Sequence, residues 1–144
     1  MTGLFLALLA AGAPVRPAPP AGPGADADRL MRRVAAGDHP GAAAEMTRQY
    51  VWPGQKERFD GFFKHYAVTA EPAGGPLGAP LGEAEPLRTD RLGRSFVRVT
   101  YAVKHERAAA VWLLTYYRPA ADWRLLGIHF ETDPRAVDRL FGGN

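Results

Sequence analysis

Apolar residues alternate with a period of two along residues 95–133, the signature of half-buried strands. Three segments carry it: SFVRVTYAVKH, AAAVWLLTYYR and DWRLLGIHFETD, separated by two tight turns. With Glu106 and Arg107 as a two-residue hairpin turn, Tyr101 faces Trp112, Val99 faces Leu114 and Val97 faces Tyr116. One face then reads Val97, Val99, Tyr101, Val103, Ala110, Trp112, Leu114 and Tyr116, wholly apolar and therefore core. An odd-length loop around Pro119 adds Leu126, Ile128 and Phe130 to that face, whereas an even-length loop adds Leu125, Gly127 and His129. The first choice buries more apolar area and sets the expected register. The opposite face collects Phe96, Leu113, Tyr117, Trp123 and Leu125, a large apolar cluster for a surface exposed to water. Lys104 and Glu131 flank Ala109 there as an expected cross-strand ion pair.

Before the strands the period changes to that of helices. Leu30 and Val34 share a face of a helix expected over Ala27 to Ala36, capped by Asp26 or Asp28 and closed by Gly37. Asp38 caps a second helix with Pro40 in its first turn and Ala43, Met46, Thr47 and Tyr50 at helical spacing. Gln55 to Tyr66 forms a third, in which Phe59, Phe62, Phe63 and Tyr66 stand at i, i+3, i+4 and i+7. Residues 72–86, PAGGPLGAPLGEAEP, read as a long connection, disordered in preference to a lid. Leu87 to Leu92 is an edge strand turning at Gly93. Asp133-Pro134 opens a short last helix, with Ala136, Val137, Leu140 and Phe141 available to pack back. The fold class is α+β: N-terminal helices packed on a curved antiparallel sheet of three to four or more strands, with a short C-terminal helix.

The first two dozen residues stand apart. Gly3 to Ala13 is an apolar run of signal-peptide length, too short to span a bilayer and ending in small residues. Residues 1–13 are the expected signal peptide, and residues 14–25, rich in proline, alanine and glycine, a solvated tether. Residues 26–144 make one domain. The expected location is secreted or periplasmic, with a cytoplasmic protein as the alternative and no transmembrane anchor left after cleavage.

Composition narrows the chemistry. The chain of 144 residues has no cysteine, which excludes disulfides, thiolate metal sites and a cysteine nucleophile. Its net charge of +3 is carried almost wholly by arginines spread along the chain beside acids. That distribution lacks the basic stripe of a nucleic-acid surface, so no nucleic-acid partner is expected. Ser95 is the only serine and sits at a strand start without the glycines of a nucleophile elbow. His129 and Glu131 share a strand face and could supply two metal ligands, but no third is evident, so neither metal nor cofactor is expected.

Leu92-Gly93, Val99-Thr100-Tyr101, Tyr117-Arg118-Pro119 and Trp123, set in helices followed by an antiparallel meander, resemble small exported bacterial proteins of the nuclear-transport-factor-2-like superfamily. The resemblance covers roughly residues 27–133. It implies a cone-shaped α+β fold whose helices leave a cavity over the sheet. It does not imply a reaction, because the superfamily holds isomerases, cyclases, dehydratases and binding domains alike.

The residues placed toward such a cavity are Phe63, His65, Tyr66, Asp90, Tyr101, Trp112 and Tyr116. An isomerase of the ketosteroid type needs an acid and a tyrosine aimed into one apolar space, and Asp90 is the carboxylate with a route inward. Core packing is the commoner fate of buried aromatics, and no catalytic motif is matched. The reading is an exported non-catalytic binding or interaction domain, with a small-molecule isomerase, dehydratase or cyclase as the alternative. A small apolar ligand in the cavity and a homodimer through the outer sheet face are the expected partners.

Overall fold

The computed structural model describes residues 22–142. The apolar run at 3–13 and the proline-rich stretch up to residue 21 lie outside the described residues. Helices α1 (Gly24–Ala35), α2 (His39–Gln49) and α3 (Lys56–Thr69) precede four strands, β1 (Pro80–Leu92), β2 (Phe96–His105), β3 (Ala109–Tyr117) and β4 (Arg124–Glu131), and a last helix α4 (Arg135–Phe141). The strands form one antiparallel meander in the order β1-β2-β3-β4, and the fold is α+β. Among the described residues no helix is long and apolar enough to cross a membrane.

Local chemistry sets the helix boundaries. α1 ends where Gly37 takes a left-handed conformation (φ 71°). Its amide donates to the Val34 carbonyl and that of Asp38 to the Arg33 carbonyl, satisfying carbonyls the helix leaves open. Asp38 then caps α2, accepting from the Gly41 amide at 3.0 Å and from the Arg33 guanidinium at 2.7 Å. These two donors hold its carboxyl below the ordinary range. α1 begins at Gly24, earlier than its periodicity indicates, and neither Asp26 nor Asp28 caps it. Both carboxylates are used elsewhere.

The β2–β3 hairpin has the register expected from its alternation: Val97 opposite Tyr116, Val99 opposite Leu114 and Tyr101 opposite Trp112. Every residue of that face from Val97 to Tyr116 is buried against Leu30, Met31, Val34, Met46, Phe59, Phe63 and Tyr66 of the three helices. The β3–β4 ladder departs from expectation. Ile128 and Phe130 do face the core, opposite Leu114 and Trp112, but a bulge follows Thr115. Leu125, not Leu126, then stands opposite Tyr116 and is fully buried. The extra residue satisfies both halves of the strand, keeping Phe130 and Leu125 inward although they are an odd number of positions apart. The β4 edge is tied to the helices by the Val51 amide, which donates to the Leu125 carbonyl at 2.9 Å.

β1 starts at Pro80, inside the segment read as a loop. Its own pattern is almost entirely exposed, so pairing with β2 holds it rather than burial. Pro80 and Pro86 are tolerated because β1 is an edge strand, and a register shift follows directly after Pro86. The remaining loop is ordered. Leu77 is buried, and the Arg107 guanidinium donates to the carbonyls of Gly75 and Pro72, each at 2.7 Å. α4 buries Ala136 but leaves Phe141 out in solvent.

Candidate functional site

The space between α3 and the inner sheet face is filled. Tyr66, Trp112 and Tyr116 have no accessible surface, so nothing the size of water touches them. Trp112 is the hub: its ring lies 4.8 Å from that of Tyr66, 5.3 Å from Phe130, 5.8 Å from Phe62 and 6.1 Å from Phe63. Edge-on and offset rings gain quadrupolar attraction. Of the seven residues expected to line a cavity, Phe63, Tyr66, Tyr101, Trp112 and Tyr116 are thus brought together as core.

The two that carried acid–base potential are elsewhere. Asp90 stands opposite Arg98 on the outer sheet face, exposed and paired with Arg88 at 2.9 Å. Because Val97 and Val99 face inward, Arg98 and its cross-strand neighbour must face outward, where a carboxylate keeps its hydration. His65 is exposed on the flank of α3, off the stripe through Phe62, Phe63 and Tyr66.

A different histidine occupies the interior. His105 continues the inward alternation of Val97, Val99, Tyr101 and Val103, a signal the sequence does contain. Its Nε2 accepts from the Tyr66 hydroxyl at 2.7 Å and its Nδ1–H donates to the Gly78 carbonyl at 2.9 Å. These partners fix a neutral tautomer. Burial pushes the imidazole below its ordinary pKa, against the raising effect of the Gly78 contact, and burial also raises the Tyr66 phenol. His39, at the start of α2, stacks on Phe63 at 5.8 Å and meets the edge of Tyr66 at 5.7 Å. Burial lowers it as well.

The helices hold a second polar group that periodicity alone does not reveal. Glu45 accepts from Arg29 at 2.7 Å, Arg48 at 2.6 Å and the Gln49 amide at 2.7 Å. Gln49 in turn accepts from the buried Tyr116 hydroxyl at 2.8 Å, and Asp26 pairs with Arg29 and Arg48. Burial alone would raise the Glu45 carboxyl, but hydrogen bonds from Arg48, Gln49 and Arg29 outweigh it and hold it down at about 2. Nearby, the Tyr101 hydroxyl donates to Asp28 at 2.5 Å, in the range of charge-assisted O–H···O⁻ bonds. This pair borders an open groove of about 520 Å³ between the start of α1 and the β1–β2 ladder, with Pro86, Thr89, Arg91, Val97 and Val99 among its walls.

On the outer face the apolar surface gathers at one end. Leu92 is 76% exposed and Phe96 37%, with the Tyr117 ring stacked on Phe96 at 5.0 Å. Leu113 is half-buried further along the same face, opposite Thr100, and Thr100 and Val111 are already covered. Two members of the expected patch leave it. The bulge turns Leu125 inward, and Trp123, two residues earlier, follows that alternation. Trp123 packs against the core cluster with the Arg118 guanidinium 5.1 Å above its ring. A depression of about 330 Å³ opens between Asp90, Leu92, Phe96, Arg98 and Thr115. Lys104 pairs with Glu83 and Glu85 of β1 rather than with Glu131, which pairs with Arg139 and lies 3.5 Å from His129. Among the described residues no three metal-ligating side chains stand together.

Compared with protein-family models, curated proteins and solved structures, the chain matches none.

Proposed function

We propose that the chain is a non-catalytic interaction domain of the nuclear-transport-factor-2-like kind, which binds a second copy of itself through the outer sheet face at the Leu92, Phe96 and Tyr117 end. One observation carries the reading: the interior that would hold a ligand is packed with aromatic rings, while the apolar surface left accessible lies outside. The order of helices followed by an antiparallel meander supports the superfamily resemblance. The patch carries charges of both signs beside its apolar residues, with Asp90 and Arg98 opposite each other on β1 and β2, as a surface that meets its own copy requires. Sedimentation equilibrium tests this: Phe96→Asp lowers the mass to that of a monomer while the melting temperature and near-ultraviolet circular dichroism stay as in the unchanged chain.

One observation favours the enzymatic alternative. The Asp28–Tyr101 pair places a carboxylate and a phenol side by side on a groove with apolar walls. In that reading Asp28 takes the role that Asp90 cannot, as the acid beside a small apolar substrate. A small-molecule fragment screen by amide NMR then moves Val97, Val99 and Tyr101, and Asp28→Asn abolishes those shifts. Fragments that bind elsewhere, or not at all, remove the alternative.

A further inference from the structure

Three consecutive residues of the β2–β3 turn grip the glycine- and proline-rich loop between α3 and β1. His105 Nδ1–H donates to the Gly78 carbonyl. The Glu106 carboxylate accepts from the Ala79 amide at 3.1 Å, and the Glu106 amide donates back to the Ala79 carbonyl at 3.1 Å. The Arg107 amide donates to the Leu77 carbonyl, and its guanidinium to Gly75 and Pro72. The grip seats Leu77, which is buried, and Gly78, whose positive φ of 75° suits a residue without a Cβ. Of the three gripping residue types, histidine is the one whose unperturbed charge change falls near neutral pH.

We infer that His105 is an acid-sensitive latch on the loop 72–79, closed while its imidazole is neutral and released when it gains a proton. In the closed state both ring nitrogens are committed, one as acceptor from Tyr66 and one as donor to Gly78. A second proton turns the Tyr66-facing nitrogen into a donor, and the phenol hydrogen then has to turn away. Among the described residues no carboxylate hydrogen-bonds the His105 ring; the nearest in the chain, Glu106, accepts from the Ala79 amide instead. Facing His105 are the Tyr66 hydroxyl from α3, the Gly78 carbonyl from the loop, Pro80 opposite it on β1, and the His39 imidazole from α2, which is itself disfavoured as a cation. Its chain neighbours are spent: Lys104 on Glu83 and Glu85, Glu106 on Ala79, and Arg107 on the loop carbonyls. His39 has Asp38 beside it as a favourable charge, and it lines an open groove of about 260 Å³ between α2 and α3 that Asp60 and Lys64 also line.

The sign follows from linkage. An imidazole lowered in the folded protein stabilises the closed form fully above its free value of about 6.5, and that stabilisation is lost as pH falls toward the latched value. Opening is local, because the loop bonds to the turn at one end of the strands while β2 and β3 remain paired.

The test is amide hydrogen exchange of Gly75, Leu77 and Ala79, corrected for intrinsic rates, from about pH 7.5 to about pH 5. The opening constant is expected to rise, by at most about thirtyfold. In His105→Asn, which keeps a donor near Gly78 but cannot titrate, the profile becomes flat, while His39→Phe keeps the rise. A flat profile in the unchanged chain overturns the latch, as does a rise that persists in His105→Asn. Should the variant fail to fold, the NMR titration of the His105 ring decides instead. A value well below that of an exposed histidine agrees with the latch, and an ordinary value overturns it.

Discussion

Glu45 is the residue on which burial and pairing compete most openly. Its carboxylate sits beneath two guanidiniums and an amide, and the stabilisation it gives is present above its ordinary value near 4.5. As pH falls from there toward about 2 that contribution is lost. An acid titration of stability therefore shows two windows, one opening below about pH 6.5 from the buried histidines and one below about pH 4.5 from Glu45. Urea midpoints measured against pH check this, and Glu45→Ala shrinks the lower window, which Asp38 shares, while leaving the upper one. That substitution costs about 2 kcal/mol at neutral pH, because Arg29 and Arg48 lose their shared carboxylate and the Gln49 amide is left with the Asp26 carbonyl alone. At this scale the sequence was only partly legible. Alternation alone carries His105 inward, and the helical stripe alone carries His65 off the core. The Glu45 cluster depends on how α1 and α2 cross, which neither helix's own period contains.

The strands differ in how far their sequences specify them. β2 and β3 alternate without interruption, so one turn assignment fixes nine facing pairs. β4 carries consecutive leucines at 125 and 126, either of which could face inward. Its bulge resolves the choice through packing against Tyr116, a contact between strands and invisible within one. β1 is harder still, because its prolines and glycines spell a loop and its strand character comes from β2. Asp90 lies beyond both register shifts of β1, in the regular stretch from Arg88 to Leu92, so the turn at Gly93 decides which way it points. The bulge yields a direct prediction. Deleting Leu126 leaves Leu125 opposite Tyr116 and Gly127 opposite Thr115 in a regular ladder, so the fold survives. Leu125→Ala, which empties a fully buried site, costs about 2–5 kcal/mol. Chemical denaturation of the two variants ranks them, and a larger loss from the deletion contradicts the bulge.

For the molecule as a whole, the division of labour runs along the strands. At one end the β2–β3 turn holds the loop 72–79, and at the other Leu92, Phe96 and Tyr117 present apolar surface between charges of both signs. Between them lies a core with no accessible surface at Trp112, so the inner sheet face opens at the Asp28–Tyr101 groove rather than under α3. We accordingly place function on the outer sheet face. Sedimentation equilibrium of the unchanged chain beside Phe96→Asp tests that conclusion most directly. A reversible dimer that the substitution converts to a folded monomer is the predicted result. A monomer at every concentration, or a dimer indifferent to Phe96, would contradict it.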